Sequence, residues 1–313
     1  AQRGADTLLS LLNAAHVSEQ CQLDPTAANT LRERLLQIDE AGRISPHVAD
    51  NLQGDGLSDV LICDQPTQGS WACQCPLNLS PSGLSEASLV LVSALKMPPT
   101  AALVATGSVN LGSGMAAAND HAATGGVAIE HGLPASGARH QVRGPGGSSP
   151  ALVHNPALNH LDPASFFQRS FGMSLADYRS QAALESLQCS ADCTPALRER
   201  VQAGAQLLWH EGDLNLHSDA LLGSPARPIV LIVNGRLRIQ GSLRIHGLLF
   251  SAADAQWLEG NPGASWLNGG LLVAGNWTSS AGVQLRHDPA VLNRLKVAAG
   301  TFVRAPGGTW SEQ

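Results

Sequence analysis

A five-residue pattern recurs along this chain: Gly, any residue, an apolar residue, any residue and a second apolar residue. Two copies begin at Gly212 and Gly235, and the interval between them equals the interval between the related GLLF at Gly247 and GLLV at Gly270. Short strands with glycine at the corners and a period of about 20 residues predict stacked parallel turns, a β-solenoid. The copies are GSVNL at Gly107, GGVAI at Gly125, GDLNL at Gly212, GRLRI at Gly235, GSLRI at Gly241, GGLLV at Gly269 and a degenerate AGVQL at Ala281.

The stretch NGRLRIQGSLRIH, residues 234–246, tests whether the chain reverses or only bends at its Gly-Ser pair. Successive strand side chains point to opposite faces, so a two-residue hairpin at Gly241 would put Ile239 on the same face as Arg244. A bend that keeps the alternation separates the two sets: Leu237, Ile239, Leu243 and Ile245 point inward, and Arg236, Arg238, Arg244 and His246 point outward. The alternation favours a bend. An antiparallel sandwich with glycine turns is the remaining alternative.

Length and charge limit the classes of protein to consider. With 313 residues the chain can form one or two domains with a sizeable core. Its net charge is about -6, of which residues 1–199 carry -8 (10 Lys/Arg, 18 Asp/Glu) and residues 200–313 carry +2 (9 against 7). A mild basic excess in the C-terminal part is not by itself the signature of nucleic-acid binding.

Six cysteines indicate disulfides and therefore an oxidising compartment. Metal ligation in an intracellular protein is the alternative, but no histidine cluster lies beside Cys73 and Cys75. Cys189 and Cys193 are expected to pair with each other and close a small loop. The other four are expected to staple the N-terminal part, with a pairing that the spacing does not decide. They are Cys21, Cys63, Cys73 and Cys75.

The Met97-Pro98-Pro99 sequence is the best candidate for a domain boundary, because consecutive prolines interrupt regular structure. It divides the chain into residues 1–97 and 98–313. In the first domain, helices are predicted at Asp6–Gln20 and Pro25–Ile38 and a buried strand at Ala87–Leu95. No apolar run is long enough to span a membrane, so either the mature protein is soluble or a membrane segment lies upstream of Ala1.

A helical insert is predicted at about residues 155–200, between the two blocks of repeats. Asp162 and Pro163 are suited to begin a helix, and Ser174 is suited to cap a second one. Phe166, Phe167 and Phe171 concentrate three of the five phenylalanines of the chain in this segment. The expectation is a plug or cap over the repeat region, since stacked strands need covered ends.

Acidic residues and histidines of the repeat region are expected to have structural roles. Acid–base catalysis on a sugar needs two carboxylates about 5–10 Å apart on one exposed face, and no DxD or DD pair occurs here. The histidine spacings match no standard metal motif. We expect the acidic residues to form turns or cap helices, and we expect the histidines to be hydrogen-bonded or solvated. The residues are Asp213, Asp219, Asp254, Asp288, His210, His217, His246 and His287.

Other catalytic signatures are also missing from the sequence. No GxSxG occurs, and the Gly-rich stretches at 107–114 and 144–147 lack the Lys-Ser/Thr of a phosphate-binding loop. The prediction is therefore a protein with no catalytic residue, no metal site and no cofactor, and not an enzyme.

One row of basic and aromatic residues is a candidate ligand-binding face. Arginine beside exposed aromatic rings suits sugars, an anionic polymer or single-stranded nucleic acid. The alternative is a solvated surface with the tryptophans packed at the corners. The candidate residues are Arg236, Arg238, Arg244, Trp257, Trp266 and Trp277.

Several motifs in fixed order resemble the PilX-type minor pilins of type IV pili, over about residues 88–310. They are DPASFFQRSFGMSLADY at 162–178, the run LWHEGDLNLHSDALLGSPARPIVLIV at 208–233, the following NGRLRIQGSLRIHGLLF, and HDPAVLNRL at 287–295. The apolar N-terminal helix and cleavage motif of pilins are not in this chain. The resemblance implies a large variant: a mainly β protein with some α structure, in which a β-solenoid with a helical insert is attached to an α+β pilin-like module of a helix on a small antiparallel sheet.

The resemblance also implies a function. A protein of this family would act at or near the pilus tip on the cell surface, and reside in the inner membrane before assembly. It would prime assembly with other minor pilins of the tip complex, and present its solenoid surface for adhesion to a glycan or for DNA uptake in competence. Membrane contact would occur only through a helix absent from this chain. The alternatives are a secreted β-helix enzyme acting on polysaccharide and an autotransporter-like adhesin.

Overall fold

The protein is described by a computed structural model that covers residues 94–147, 151–181, 183–258, 264–279 and 282–297. The backbone of eight further strands between residues 36 and 93 and between 302 and 312 is also described. The chain divides into two compact units: Ala1–Lys96 with Ala176–Ala183 and Lys296–Gln313, and Met97–Leu175 with Leu184–Leu295. The expected helix at Asp6–Gln20 and the cysteines Cys21, Cys63, Cys73 and Cys75 lie outside the residues whose side chains are described.

The first unit contains antiparallel strands. Its N-terminal strands are β1 Leu36–Ile38, β2 Ile44–Val48, β3 Leu57–Asp59, β4 Ile62–Asp64, β5 Ala72–Leu79 and β6 Ser85–Ser93. β1 occupies the end of the predicted helix Pro25–Ile38, so that part of the prediction is wrong. β6 forms the strand expected at Ala87–Leu95 and pairs antiparallel with β5.

The second unit is built from short strands that pair in parallel throughout its described part. The strands are β7 Leu103–Ala105, β8 Val109–Leu111, β9 Ala116–Ala118, β10 Ile129–His131, β11 Ala135–Gly137, β12 Val142–Arg143, β13 Leu152–His154, β14 Glu185–Ser186, β15 Leu207–Glu211, β16 Leu214–Leu216, β17 Ala220–Leu222, β18 Ile229–Asn234, β19 Leu237–Ile239, β20 Leu243–Ser251, β21 Ala255–Trp257, β22 Ser265–Val273, β23 Trp277–Ser279 and β24 Val283–His287. This mainly β architecture with parallel sheets is consistent with a β-solenoid and is not an antiparallel sandwich.

Four α-helices and two C-terminal strands complete the described elements. The helices are α1 Pro163–Phe171, α2 Leu175–Arg179, α3 Thr194–Gln202 and α4 Pro289–Val297, and the strands are β25 Phe302–Arg304 and β26 Trp310–Glu312. Short 3-10 turns occur at Ala122–Thr124, Arg139–Gln141, Pro145–Gly147 and Pro156–His160. Both C-terminal strands pair with β6, so the end of the chain belongs to the first unit and not to the repeat domain where the sequence placed it. No helix in the described part of the chain is long and apolar enough to cross a membrane.

The alternation predicted for residues 234–246 is confirmed. Leu237, Ile239, Leu243 and Ile245 are all at most 1% exposed, whereas Arg236, Arg238 and Arg244 are exposed and His246 is half-buried. β19 pairs with β16 and β21, and β20 with β17, β18 and β22, all in parallel. The chain therefore bends at Gly241 into a second sheet and does not reverse.

Successive turns stack in an order that differs from their order in the chain. One path of paired strands runs β16, β19, β21, β23, β8, β11. The last turn of the C-terminal block thus lies against the first turn of the N-terminal block, with Trp277 opposite Val109. Main-chain hydrogen bonds such as Thr106 N–H to Val273 O, 2.9 Å, join the two blocks into one continuous stack.

The sequence interval between stacked positions varies from turn to turn. Leu214 pairs with Leu237, as the motif spacing predicts, but Leu237 pairs with Ala255, which follows at a shorter interval. Gly247 pairs with Gly269 and not with Gly270, the partner obtained by aligning the GLLF and GLLV motifs. The reason is steric: both paired glycines occupy the positive-φ corner where the backbones of neighbouring turns approach each other.

Aspartate side chains at the corners connect neighbouring turns. Carboxylate oxygens of Asp213, Asp219 and Asp254 accept hydrogen bonds from the main-chain N–H groups of the next turn at 2.9, 2.7 and 2.8 Å, respectively. Asp288 instead accepts from the N–H groups of Ala290 and Val291 and caps α4. The turn and capping roles expected for these four residues are confirmed.

Helices cover one of the three faces of the stack. This face, which includes β18 and the second halves of β20 and β22, is buried on both sides of its strands. α1 begins at Asp162, whose carboxylate accepts the Ser165 N–H at 2.7 Å, and it places Phe166, Phe167 and Phe171 against Phe250 with ring centroids 6.1, 5.0 and 5.9 Å apart. The first part of the helical insert therefore covers a side of the stack.

The second part of the insert caps an end of the stack. β14 pairs with β15, and the Cys193 N–H donates to Asn215 O at 2.9 Å. Leu197 of α3 is fully buried in the core. Cys189 and Cys193 form the expected disulfide, which closes the loop before α3.

Asp192 ties this cap to the first stacked turn. Its carboxylate accepts hydrogen bonds from the Thr194 N–H and hydroxyl, the His217 N–H and the Ser218 hydroxyl. Desolvation opposes ionisation, but the hydrogen bonds from Ser218, His217 and Thr194 outweigh it and hold the pKa of Asp192 well below its ordinary value.

We predict that Gly269→Ala destabilises the protein by about 3 kcal/mol or more. Gly269 has φ +138°, and a β-carbon there would lie 2.0 Å from Gly247 O. Gly212→Ala is the matched control, because Gly212 has φ +88° but no atom within 4 Å of the added carbon, and we expect a cost of about 1 kcal/mol. Chemical denaturation measures both free energies of unfolding, and equal losses would contradict the pairing of Gly269 with Gly247.

We predict that Asp192→Asn lowers the melting temperature by a few degrees at pH 7 and reduces the acid sensitivity of the protein. Because the pKa of Asp192 is depressed in the folded state, its contribution is complete well above 3.8, the ordinary value, and is lost as the pH falls below it. Thermal melts at pH 7 and pH 3 test this, with Asp219→Asn as a control at another corner. A variant with unchanged acid sensitivity would rule out this role.

Candidate functional site

The six predicted site residues do not form one surface. Arg238 lies in β19, whereas Arg244 and Trp266 lie in the neighbouring sheet, in β20 and β22. Arg236 is exposed at the corner before β19, and its N–H donates to Asp213. Trp257 and Trp277 are 0% and 1% exposed. The structure brings together only Arg244 and Trp266, which are direct partners in the strand register.

Trp257 and Trp277 belong to the core, so their assignment to a ligand-binding face is wrong. Each occupies an inward position of a three-residue strand whose middle residue points outward. In the stacked register Trp257 lies beside Ser279, and Trp277 lies beside Ala255. On its other side each ring lies beside an aliphatic residue, Ile239 for Trp257 and Val109 for Trp277, so both rings are enclosed by the interior. The alternation in Ala255-Gln256-Trp257 was the sequence signal that could have placed Trp257 inside.

The face that contains Arg238 is largely uncharged. Its outward residues form one row across the stacked turns, and Arg238 is the one charged member among them. The row is Asn215, Arg238, Gln256, Thr278, Asn110 and Ser136.

The remaining open face carries three arginines in two adjacent outward rows. The register of β17, β20, β22, β24, β9 and β12 defines these rows. We call their ten residues the arginine face. One row is Leu221, Arg244, Trp266, Gln284 and Ala116, and the other is His246, Asn268, Arg286, Ala118 and Arg143.

The arginine face has a positive charge that nothing within it balances. Arg143, Arg244 and Arg286 are exposed, and neither row contains an acidic residue. The ion pair found among the described residues is formed by Arg200 and Glu185, which are not part of the arginine face. Three exposed guanidinium groups without carboxylate partners favour an anionic ligand.

Trp266 is the aromatic side chain of the arginine face. It is half-buried and contacts His246 edge-to-face, with ring centroids 4.8 Å apart. Burial lowers the pKa of His246, and the negative charge of Asp288 opposes this. A neutral imidazole therefore supports one side of the indole near neutral pH.

A depression of about 430 Å³ lies at one end of the arginine face. Its floor is formed by Ala116, Ala117 and Ala118 of β9, and Arg143 and Arg286 stand on the strands on either side. His140, Gln141, Gln284 and Leu285 complete the lining. Sequence reasoning missed Arg143 and Arg286, because they are far apart in the chain and meet only through the stacking order.

The histidines expected to have structural roles are dispersed in the fold. His210 is buried, with its two ring nitrogens 3.0 Å from Leu187 O and 3.2 Å from Asp213 O. His287 Nε2 is 3.0 Å from Pro99 O, and His217 is exposed. With His246 against Trp266, the four do not converge on one site.

A group formed by Cys189, Cys193 and His210 has the composition of a metal site. The atoms that could bind a metal ion lie within 4.8 Å of one another. Among the described residues, no other group of three or more His, Cys, Asp or Glu side chains is placed to hold an ion. The two sulfur atoms are bonded to each other in the disulfide. Metal ligation requires thiolates, so the oxidised pair supplies no sulfur ligand of that kind.

No family model matches the chain, and no curated protein or solved structure matches it either. The pilin resemblance therefore stays a prediction that rests on the motifs themselves.

We predict that Trp257→Ala lowers the free energy of unfolding by about 3–5 kcal/mol, because it leaves a cavity in the core. Trp266→Ala removes a half-buried ring from the surface and should cost about 1 kcal/mol or less. Urea denaturation of the two variants gives the comparison. A similar, small loss in both would contradict the interior position of Trp257.

Proposed function

We propose that this chain is a non-enzymatic minor pilin of the large, β-solenoid type that acts at or near the tip of a type IV pilus. Its first unit would be the pilin-like module that contacts other minor pilins and primes assembly. Its second unit would be a β-solenoid that presents the arginine face to an anionic polymer, either DNA during uptake or a surface glycan during adhesion.

The positions of the pilin-like motifs support this proposal. FFQRSF lies in α1, which covers one face of the stack. The last three residues of GDLNL form β16. The segment from Ile229 to Phe250 forms three consecutive strands, β18 to β20, and HDPAVLNRL leads into α4. Apart from Ala176–Tyr178, which belong to the first unit, the motifs that suggested the family thus lie in the second unit, as expected if they specify a shared fold.

The observation that carries the binding role is the unpaired positive charge of the arginine face. Its rows follow the stacking direction, with neighbouring side chains about 4.8 Å apart. Such rows can contact an extended polymer at several points, which suits a ligand of repeated units. Trp266 adds a ring surface on which a sugar or a base can stack.

The enzyme alternative requires two neighbouring carboxylates in an open groove. The depression on the arginine face contains no carboxylate, and a second depression near Pro98 and Pro99, about 100 Å³ in volume, contains only Glu130. Glu130 accepts a hydrogen bond from Asn155 at 2.6 Å. A pair of carboxylates suited to glycoside chemistry is not formed in either depression.

We predict that the double variant Arg244→Ala/Arg286→Ala binds a fluorescein-labelled DNA duplex about tenfold or more weakly than the unmodified protein. DNA serves here as a polyanion of known charge spacing. Because two phosphate interactions are removed, the slope of log K against log salt concentration should become shallower by about 1.8. Fluorescence anisotropy between 50 and 200 mM salt measures both quantities.

Arg236→Ala/Arg238→Ala is the matched control, because it removes the same number of exposed arginines from positions outside the arginine face. We expect it to leave the affinity and the salt slope within about twofold of the unmodified values. Equal effects of the control and the double variant would show that net charge and not the arginine face determines binding. No binding of the unmodified protein to DNA or to an acidic polysaccharide would remove the binding role.

A further inference from the structure

The depression at the end of the arginine face has two arginines in register on either side of an alanine. Arg286 pairs with Ala118, and Ala118 pairs with Arg143. Two strand spacings place the Cα atoms of these arginines about 9–10 Å apart. Both guanidinium groups can therefore approach a ligand that rests on β9 between them.

The size of the depression indicates a ligand larger than a bare anion. Ala116 and Ala118 present only methyl groups outward, which leaves a low floor between taller neighbours. The resulting volume, about 430 Å³, falls within the range of about 300–1,000 Å³ found for small-molecule sites. A sulfate or phosphate ion would leave most of this space empty.

The lining combines positive charge with hydrogen-bond acceptors. Arg143 and Arg286 are accompanied by no acidic residue in the lining. Gln141 Nε2 donates to Ser113 O at 3.0 Å, so the amide is held in place and its oxygen is left to accept. Gln284 supplies a second amide. A phosphodiester or a carboxylate has no proton to donate to an amide oxygen, whereas a sugar hydroxyl does.

We propose that this depression binds one acidic sugar unit of a polysaccharide. Its carboxylate would be held by the guanidinium groups of Arg143 and Arg286, and its hydroxyls would donate to the oxygens of Gln141 and Gln284. The inference rests on the proposed function of the arginine face and names the polymer as an acidic glycan.

A nucleotide fits the same lining less well. Proteins bind the bases of single-stranded nucleic acids by stacking them on aromatic side chains. The lining has no Phe, Tyr or Trp, and Trp266 lies two strands from Ala116 in the register. The acceptor oxygens also have no donor to bind on the phosphodiester groups of a nucleic acid. An acidic sugar has a carboxylate for the two arginines, hydroxyls for the two amide oxygens, and a ring of a size that fits over the alanine floor.

Ligand-observed NMR with D-glucuronate, D-glucose, inorganic phosphate and thymidine monophosphate tests this proposal on the full chain. Glucuronate should bind measurably and at least about tenfold more tightly than glucose, which lacks the carboxylate. Phosphate and thymidine monophosphate should bind more weakly than glucuronate. Equal or tighter binding of phosphate would overturn the proposal in favour of a simple oxyanion site, and tighter binding of the nucleotide would overturn it in favour of nucleic acid.

Two substitutions locate the site. Ala118→Leu fills the floor without changing charge, and Arg143→Lys keeps the charge but loses the paired N–H donors of arginine. We expect Ala118→Leu to weaken glucuronate binding about tenfold and Arg143→Lys several-fold, with Arg238→Ala unchanged. Circular dichroism and thermal melting confirm that the variants fold. Unaltered glucuronate binding in Ala118→Leu would contradict the assigned position.

The outcome separates this inference from the proposed function. Should glucuronate fail to bind while Arg244→Ala/Arg286→Ala still weakens polymer binding, the acidic-sugar site is wrong and the binding role of the arginine face stands. Should both experiments fail, neither proposal survives.

Discussion

Main-chain hydrogen bonding between neighbouring turns is the interaction on which the rest of this structure depends. Parallel strands fix the spacing of the turns at about 4.8 Å and the pairing of residues across them. Once that register is set, alternation sends each side chain either into the interior or onto an open face. The corner aspartates Asp213, Asp219 and Asp254 reinforce it, because each accepts an N–H group of the next turn. Interior columns and surface rows are two consequences of one register.

The stacking order determines where a ligand could bind. Arg244, Trp266 and Arg286 come from the C-terminal block of turns, whereas Arg143 and the alanine floor come from the N-terminal block. These residues meet because β24 pairs with β9. One side of the stack is covered by helices and another is nearly uncharged, so the arginine face is the described surface on which positive charge accumulates. The proposed binding role therefore depends on a contact between segments distant in the chain.

Sequence reasoning succeeded where a rule acts over a short stretch of chain. Alternation predicted the bend at Gly241, capping predicted the start of α1 at Asp162, and short spacing predicted the disulfide between Cys189 and Cys193. Sequence reasoning failed to predict which residues pair between stacked turns, because the turns differ in length. The pairing of Gly247 with Gly269 and the approach of Arg143 to Arg286 depend on which turn stacks on which. Trp257 was misplaced although alternation applied, because its ring was assigned to the surface by residue type.

The stacking of the C-terminal block on the N-terminal block can be measured directly. Asn110 and Thr278 are outward residues paired in register across β8 and β23, so the double variant Asn110→Cys/Thr278→Cys should form a new disulfide on mild oxidation, detected by mass spectrometry of the linked peptides. Asn110→Cys/Arg238→Cys places the sulfurs three strand spacings apart, about 14 Å, and should not form one. A crosslink in the first variant alone is the predicted result. Its absence, or equal crosslinking in both, would contradict the stacked register.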